Sequence, residues 1–150
     1  MLKFALIAGV SAVAFASGAI AQDFTAAPAF GEAHLSSGFL PDPHEVHLVA
    51  GGSLDASSIN SSCSGSIANA PDFRLHFEGD TIYIGVRSSD DTTLVVNGPD
   101  GNWHCVDDVD GLNPFLGGSY GAGQYDIWVG TYGGGTSDAT LYITEYSTPQ

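Results

Sequence analysis

After residue 45 the chain alternates apolar and polar positions in short runs. In Phe73-Arg74-Leu75-His76-Phe77 every second residue is apolar, the period of a half-buried β-strand. Ile82, Ile84 and Val86 repeat the pattern within 81–87. Tyr125, Ile127 and Val129 do so within 124–131, with Asp126, Trp128 and Gly130 on the other face. Further strands are expected over 46–50, 92–96, 102–106 and 140–146. Clusters of turn residues separate them, among them Glu78-Gly79-Asp80 and Asn97-Gly98-Pro99-Asp100-Gly101. After residue 21 no stretch of helical length has the 3.6-residue spacing of an amphipathic helix. The pattern predicts an all-β fold, an antiparallel β-sandwich or jelly roll of about seven to nine strands.

The first 44 residues read differently. Residues 1–21 have the three parts of a signal peptide: a positive start with Lys3, an apolar stretch from Phe4 to Phe15, and a small-residue cleavage site at Ala19-Ile20-Ala21. The apolar run is rich in Ala, Gly and Ser and falls short of the ~20 strongly apolar residues of a membrane span. No later segment could span a bilayer, so a secreted or periplasmic protein is expected. Residues 22–44 contain Pro28, Pro41 and Pro43 with little periodicity and are expected to form a tail or linker, with room for one short strand. The sandwich domain is placed at 45–150.

Charge narrows the partners. The chain has 3 Lys or Arg against 17 Asp or Glu. Without residues 1–21, two Arg face all 17 acids, a net charge of −15. Nucleic acid and anionic membrane surfaces are poor partners for such a surface. Solubility and cation binding are favoured. Cys63 and Cys105 are the two cysteines, and their isolated spacing in an exported chain points to a structural disulfide rather than a redox or metal pair.

The acidic loops are the main chemical signal. Asp90-Asp91-Thr92 opens one strand, Asp100 lies in the Asn97–Gly101 turn, and Asp107-Asp108-Val109-Asp110-Gly111-Leu112-Asn113 forms a loop. Hard cations such as Ca²⁺ take six to eight oxygen ligands from carboxylates, amides and carbonyls. Asp90, Asp91, Asp100, Asp107, Asp108 and Asp110 are therefore the candidate Ca²⁺ ligands. The competing reading is ordinary β-turn chemistry, which uses the same residues.

The stretch from Thr81 to Glu145 resembles the bacterial pre-peptidase C-terminal domain, which is related to collagen-binding modules of secreted proteases. The resemblance is carried by the Ile82, Ile84, Val86 strand leading to Asp90-Asp91-Thr92-Thr93-Leu94, by Asn97-Gly98-Pro99-Asp100-Gly101, by Asp107-Asp108, and by Gly123-Gln124-Tyr125 running into Ile127-Trp128-Val129. It implies a jelly-roll-like sandwich, often Ca²⁺-binding, with no catalytic centre of its own. The chain departs from the family's usual context in having no preceding protease domain and in its Cys63/Cys105 pair.

Other chemistry is weaker. Gly117-Gly118-Ser119-Tyr120-Gly121 matches G-x-S-x-G, but no His follows His104 and no helix is expected to complete a nucleophile elbow. A protease-like order from His44 or His47 through Asp90 to Ser119 would need a larger two-barrel fold. A transition-metal (Cu²⁺ or Zn²⁺) site from His34, His44 and His47 is a second alternative, a small secreted hydrolase a third. Trp128 and Tyr142 oppose apolar neighbours on their strands and are candidates for a solvent-facing partner patch, with burial under a covered face as the competing reading. The sequence thus points to a secreted, non-catalytic binding or adhesion module, stabilised by Ca²⁺ and directed at an extracellular protein or polysaccharide.

Overall fold

The computed structural model describes residues 23–150; the signal peptide expected over 1–21 lies outside the described residues. Eleven strands are present among them: β1 (Glu32–Ser36), β2 (His44–Gly51), β3 (Leu54–Asp55), β4 (Ser66–Ile67), β5 (Phe73–Glu78), β6 (Thr81–Arg87), β7 (Thr92–Asn97), β8 (Trp103–Val106), β9 (Phe115–Ser119), β10 (Gly123–Thr131) and β11 (Thr136–Thr144). A 3-10 turn at Ala56–Ser58 is the one helical element described. No helix among the described residues is long and apolar enough to cross a membrane.

The strands form a two-sheet β-sandwich. One sheet runs β2-β11-β6-β9, antiparallel throughout. The other is built around β10, which pairs with β7 on one side and with β5, then β4, on the other. β7 carries β8 at one edge, and β5 carries β1 at the other. The alternating residues meet between the sheets. Phe73, Leu75, Leu94, Val96, Tyr125, Ile127 and Val129 from one sheet pack against Leu48, Ile82, Ile84, Val86, Leu141 and Ile143 from the other. The strand count exceeds the expected seven to nine because β3, β4 and β9 are short runs that strand periodicity does not reveal.

The one short strand allowed for within residues 22–44 is β1, which joins the sheet in parallel register with β5, placing His34 opposite His76. Arg74 fastens the preceding segment by donating to the carbonyls of Phe24 and Ala26 at 2.7 and 3.1 Å. The solvent-facing partner patch of Trp128 and Tyr142 is corrected, since their exposures are 0% and 1%.

Trp128 does leave the inter-sheet core, as alternation requires, but that outer face is covered. Ala56, Ile59, Cys63 and Ile67 pack over Val95 and Trp128, and Trp103 flanks the indole at 5.3 Å between ring centroids. The Cys63–Cys105 disulfide ties this Ser/Gly-rich cover to β8. Tyr142 lies against Gly85, where a Cβ would come within 2.2 Å of the ring. Arg87 sits 5.1 Å from the ring centroid, Phe115 stacks alongside, and the backbone N–H of Gln150 donates to the phenol oxygen.

One buried carboxyl completes the main sheet. Asp72 fills the gap between β4 and β5 and accepts a hydrogen bond from Val129 N at 2.7 Å. Burial pushes its pKa up to about 7, against the pull of that hydrogen bond.

The disulfide closes a loop of about 43 residues and contributes roughly 4 kcal/mol in the chain-entropy model. Cys63→Ser with Cys105→Ser should lower the unfolding free energy by about 2–5 kcal/mol and raise acrylamide quenching of tryptophan fluorescence as the cover loosens. For Asp72 the folded pKa lies above the unfolded value near 3.9. Its contribution to stability is therefore full below pH 4 and is lost as pH rises toward 7. Asp72→Asn keeps the acceptor without the charge. Relative to the parent it should gain up to about 4 kcal/mol between pH 4 and pH 8, measured by urea unfolding.

Candidate metal centre

Strand pairing decides which acidic residues meet. β7 and β8 form an antiparallel hairpin in which Leu94 faces Val106 and Asn97 faces Trp103. The residue just before β7 therefore lies beside the residues just after β8. Asp91, Asp107 and Asp108 converge there, with one carboxylate oxygen from each within 4.8 Å of the others.

The remaining sequence candidates lie elsewhere. Asp100 is in the turn that closes the same hairpin, at its opposite end, roughly 20 Å away for a six-residue strand. It accepts from Asn102 through both backbone and side chain and lies 3.4 Å from His104 Nε2. The Asn102 hydrogen bonds, with a smaller contribution from His104, hold its carboxyl below the usual carboxylate range. Asp90 accepts from Ser137 Oγ at 2.6 Å and lines a cleft beside the β10–β11 turn. Asp110 pairs through its backbone with Asn113 at the tip of the loop. Three of the six candidates thus form one cluster, and Asp90, Asp100 and Asp110 are outside it.

The cluster is held in place by neutral groups. Asn113 Oδ1 accepts from Ser88 N and Thr92 Oγ1, and its amide donates to Ser88 O. Thr92 N donates to Leu112 O, tying the acidic loop to the start of β7. Ser64, next to the disulfide, donates to Asp107 Oδ2 at 2.8 Å. Asn113 and Ser64 escaped sequence reasoning; an Asn ending an acidic loop was visible, but its partners 21 and 25 residues away were not.

No Lys or Arg among the described residues answers these carboxylates. Among the described residues the Lys and Arg side chains are Arg74 and Arg87. Arg74 pairs with Asp126 at 2.7 Å, and Arg87 pairs with Glu45. Asp91 Oδ1 and Asp107 Oδ1 are shielded from solvent without a hydrogen-bond partner. Burial, and then the charges of Asp108 and Asp107, push the Asp91 carboxyl above its ordinary range.

The histidine alternative is corrected as well. His44 packs near the Phe73 ring, and His47 Nδ1 lies 3.0 Å from Thr140 Oγ1. Three positions apart on β2, they face opposite sides of the strand, and His34 belongs to the other sheet. Ser119 ends β9, an edge strand of the smaller sheet, its Oγ 2.7 Å from Thr81 Oγ1, rather than standing at a strand-to-helix elbow.

No protein-family profile matches the chain, and no curated protein matches it. A solved structure, that of the Aeromonas hydrophila protein PliG, described as a periplasmic lysozyme inhibitor of g-type lysozyme, is similar over 76% of this chain and 96% of its own. The sequence identity is 12% and the TM-score 0.40, a likeness too distant to assign a function.

The raised Asp91 carboxyl has a directional consequence. Its folded-state pKa lies above the unfolded value, so stability is lost as pH rises through its titration. In EDTA at neutral pH, Asp91→Asn should therefore melt at a higher temperature than the parent, and the gap should narrow on acidification. Differential scanning calorimetry at pH 4 and pH 7 measures both.

Proposed function

We propose that this chain is a secreted, non-catalytic binding module in which Ca²⁺ at Asp91, Asp107 and Asp108 orders the acidic loop for contact with a partner. The observation that carries the reading is a group of three carboxylates with no Lys or Arg among the described residues to balance it, two of whose oxygens are shielded and unbonded. Like charges at such spacing destabilise the compact state unless a counter-ion joins them. Ca²⁺ suits an all-oxygen donor set and accepts irregular geometry, with loop carbonyls and water filling the remaining positions. The resemblance to pre-peptidase C-terminal domains belongs to the same proposal.

The ion is structural in this reading, and the binding surface is what it orders. Val109 and Leu112 are exposed on the loop next to the carboxylates. Tyr132 is exposed beside them, its backbone N–H donating to Asp91 O. An apolar tip rimmed with carboxylates, on a chain of net −14, suits a basic extracellular protein better than a neutral polysaccharide.

The test is the thermal midpoint of the mature, oxidised protein in EDTA, in millimolar Ca²⁺ and in Mg²⁺. Ligand at ~100 times its dissociation constant stabilises by about 2.7 kcal/mol, several degrees for a domain of this size. The expected result is a Ca²⁺-specific rise that Asp108→Ala abolishes. Equal small responses to Ca²⁺ and Mg²⁺ would reduce the cluster to charge screening and sink the proposal.

A further inference from the structure

A second group of ligating side chains lies on the opposite edge of the main sheet, away from the acidic loops. β1 and β5 run parallel, and their register places His34 directly beside His76. Side chains two residues apart share a face of a strand, so Glu32 stands on the same outer surface. His76 Nε2 is 3.7 Å from Glu32 Oε2. One potential ligand atom from each of Glu32, His34 and His76 lies within 4.8 Å of the others. A shallow cleft lined by His34, His76, Glu78 and Gln124 opens beside them.

We propose that Glu32, His34 and His76 bind a borderline divalent transition metal, Zn²⁺ or Cu²⁺, and thereby clip β1 to the sandwich. Two imidazole nitrogens and one carboxylate match the donor preference of these ions, whereas Ca²⁺ and Mg²⁺ prefer oxygen alone. The cleft leaves room for water at the remaining coordination positions. The two imidazoles stack, 4.3 Å between centroids and 8° between planes. Nitrogen lone pairs lie in the ring plane, so stacked rings must swing toward each other to share an ion. Both rings are on the outer surface, His34 exposed and His76 about one-third exposed, which leaves them free to swing. The ligand atoms, now within 4.8 Å of one another, must also draw to roughly 3.3 Å apart for metal–ligand bonds near 2.0–2.1 Å. The ion would bridge an edge strand to its neighbour, and nothing in this site depends on the acidic loops.

Isothermal titration of the tag-free mature protein with Zn²⁺ and with Cu²⁺, in saturating Ca²⁺, tests the site. One equivalent of Zn²⁺ or Cu²⁺ should bind, and the two arms identify the preferred ion. His34→Ala and His76→Ala should each weaken binding at least about tenfold, since even outer-shell partners of a metal cost that much. Glu32→Gln should weaken it too, while His47→Ala, which removes an exposed imidazole on the other sheet, should not. Hydrogen exchange at residues 32–36 should slow when the metal is added to the parent and not when it is added to His76→Ala. Failure to bind either metal, affinity unchanged in both histidine variants, or equal loss in His47→Ala would each overturn the site. Asp108→Ala should retain it, so the fate of the Ca²⁺ reading leaves this result untouched.

Discussion

Strand β10 is buried on both of its faces. From Tyr125 to Thr131 every residue is shielded, with Tyr125, Ile127 and Val129 facing the second sheet and Asp126, Trp128 and Gly130 facing outward. A sandwich sheet ordinarily leaves its outer face to water, so this strand requires a cover on that side. Arg74 supplies part of it by neutralising Asp126, and the disulfide-tethered segment around Cys63 supplies the rest over Trp128. The bridge therefore does more than shorten the unfolded chain. It holds a short apolar layer, too small to stay folded alone, against a tryptophan whose indole N–H has no hydrogen-bond partner.

The same central strand organises the polar chemistry. β7 lies against β10, and β8 follows β7 back, which brings Asp107 and Asp108 beside Asp91. β5 lies on the other flank and receives β1, which brings His34 beside His76. The two proposed ion sites stand at opposite borders of one sheet. One offers only oxygen and the other mainly nitrogen, so their metal preferences diverge.

Much of the sandwich was legible because alternation is a local signal. The strands around Phe73, Ile82, Leu94 and Ile127 were all readable, as was the pairing of the two cysteines. Pairing between distant segments was not. The parallel join of β1 to β5 depends on residues about forty positions apart, and nothing in the sequence of residues 32–36 announces it. The exposure of Trp128 and Tyr142 could not be read for a related reason. Alternation told correctly that they leave the inter-sheet core, but what covers an outer face comes from elsewhere in the chain. Of the acidic residues, Asp91, Asp107 and Asp108 were within reach of sequence reasoning. Asp100 was separated from them by the length of the hairpin whose turn it occupies.

The pairing of β2 with β11 joins His44 to Ile143, close to the two ends of the folded region. Neither half of the chain can complete the smaller sheet by itself, because its longest pairing waits for the last strand to be made. Topologies dominated by such distant pairings fold slowly. Were residues 1–21 to act as the export leader expected from their sequence, such delay would be useful: the polypeptide would stay threadable while it crossed the membrane and would close its sheets on the far side, where the thiols of Cys63 and Cys105 could be oxidised.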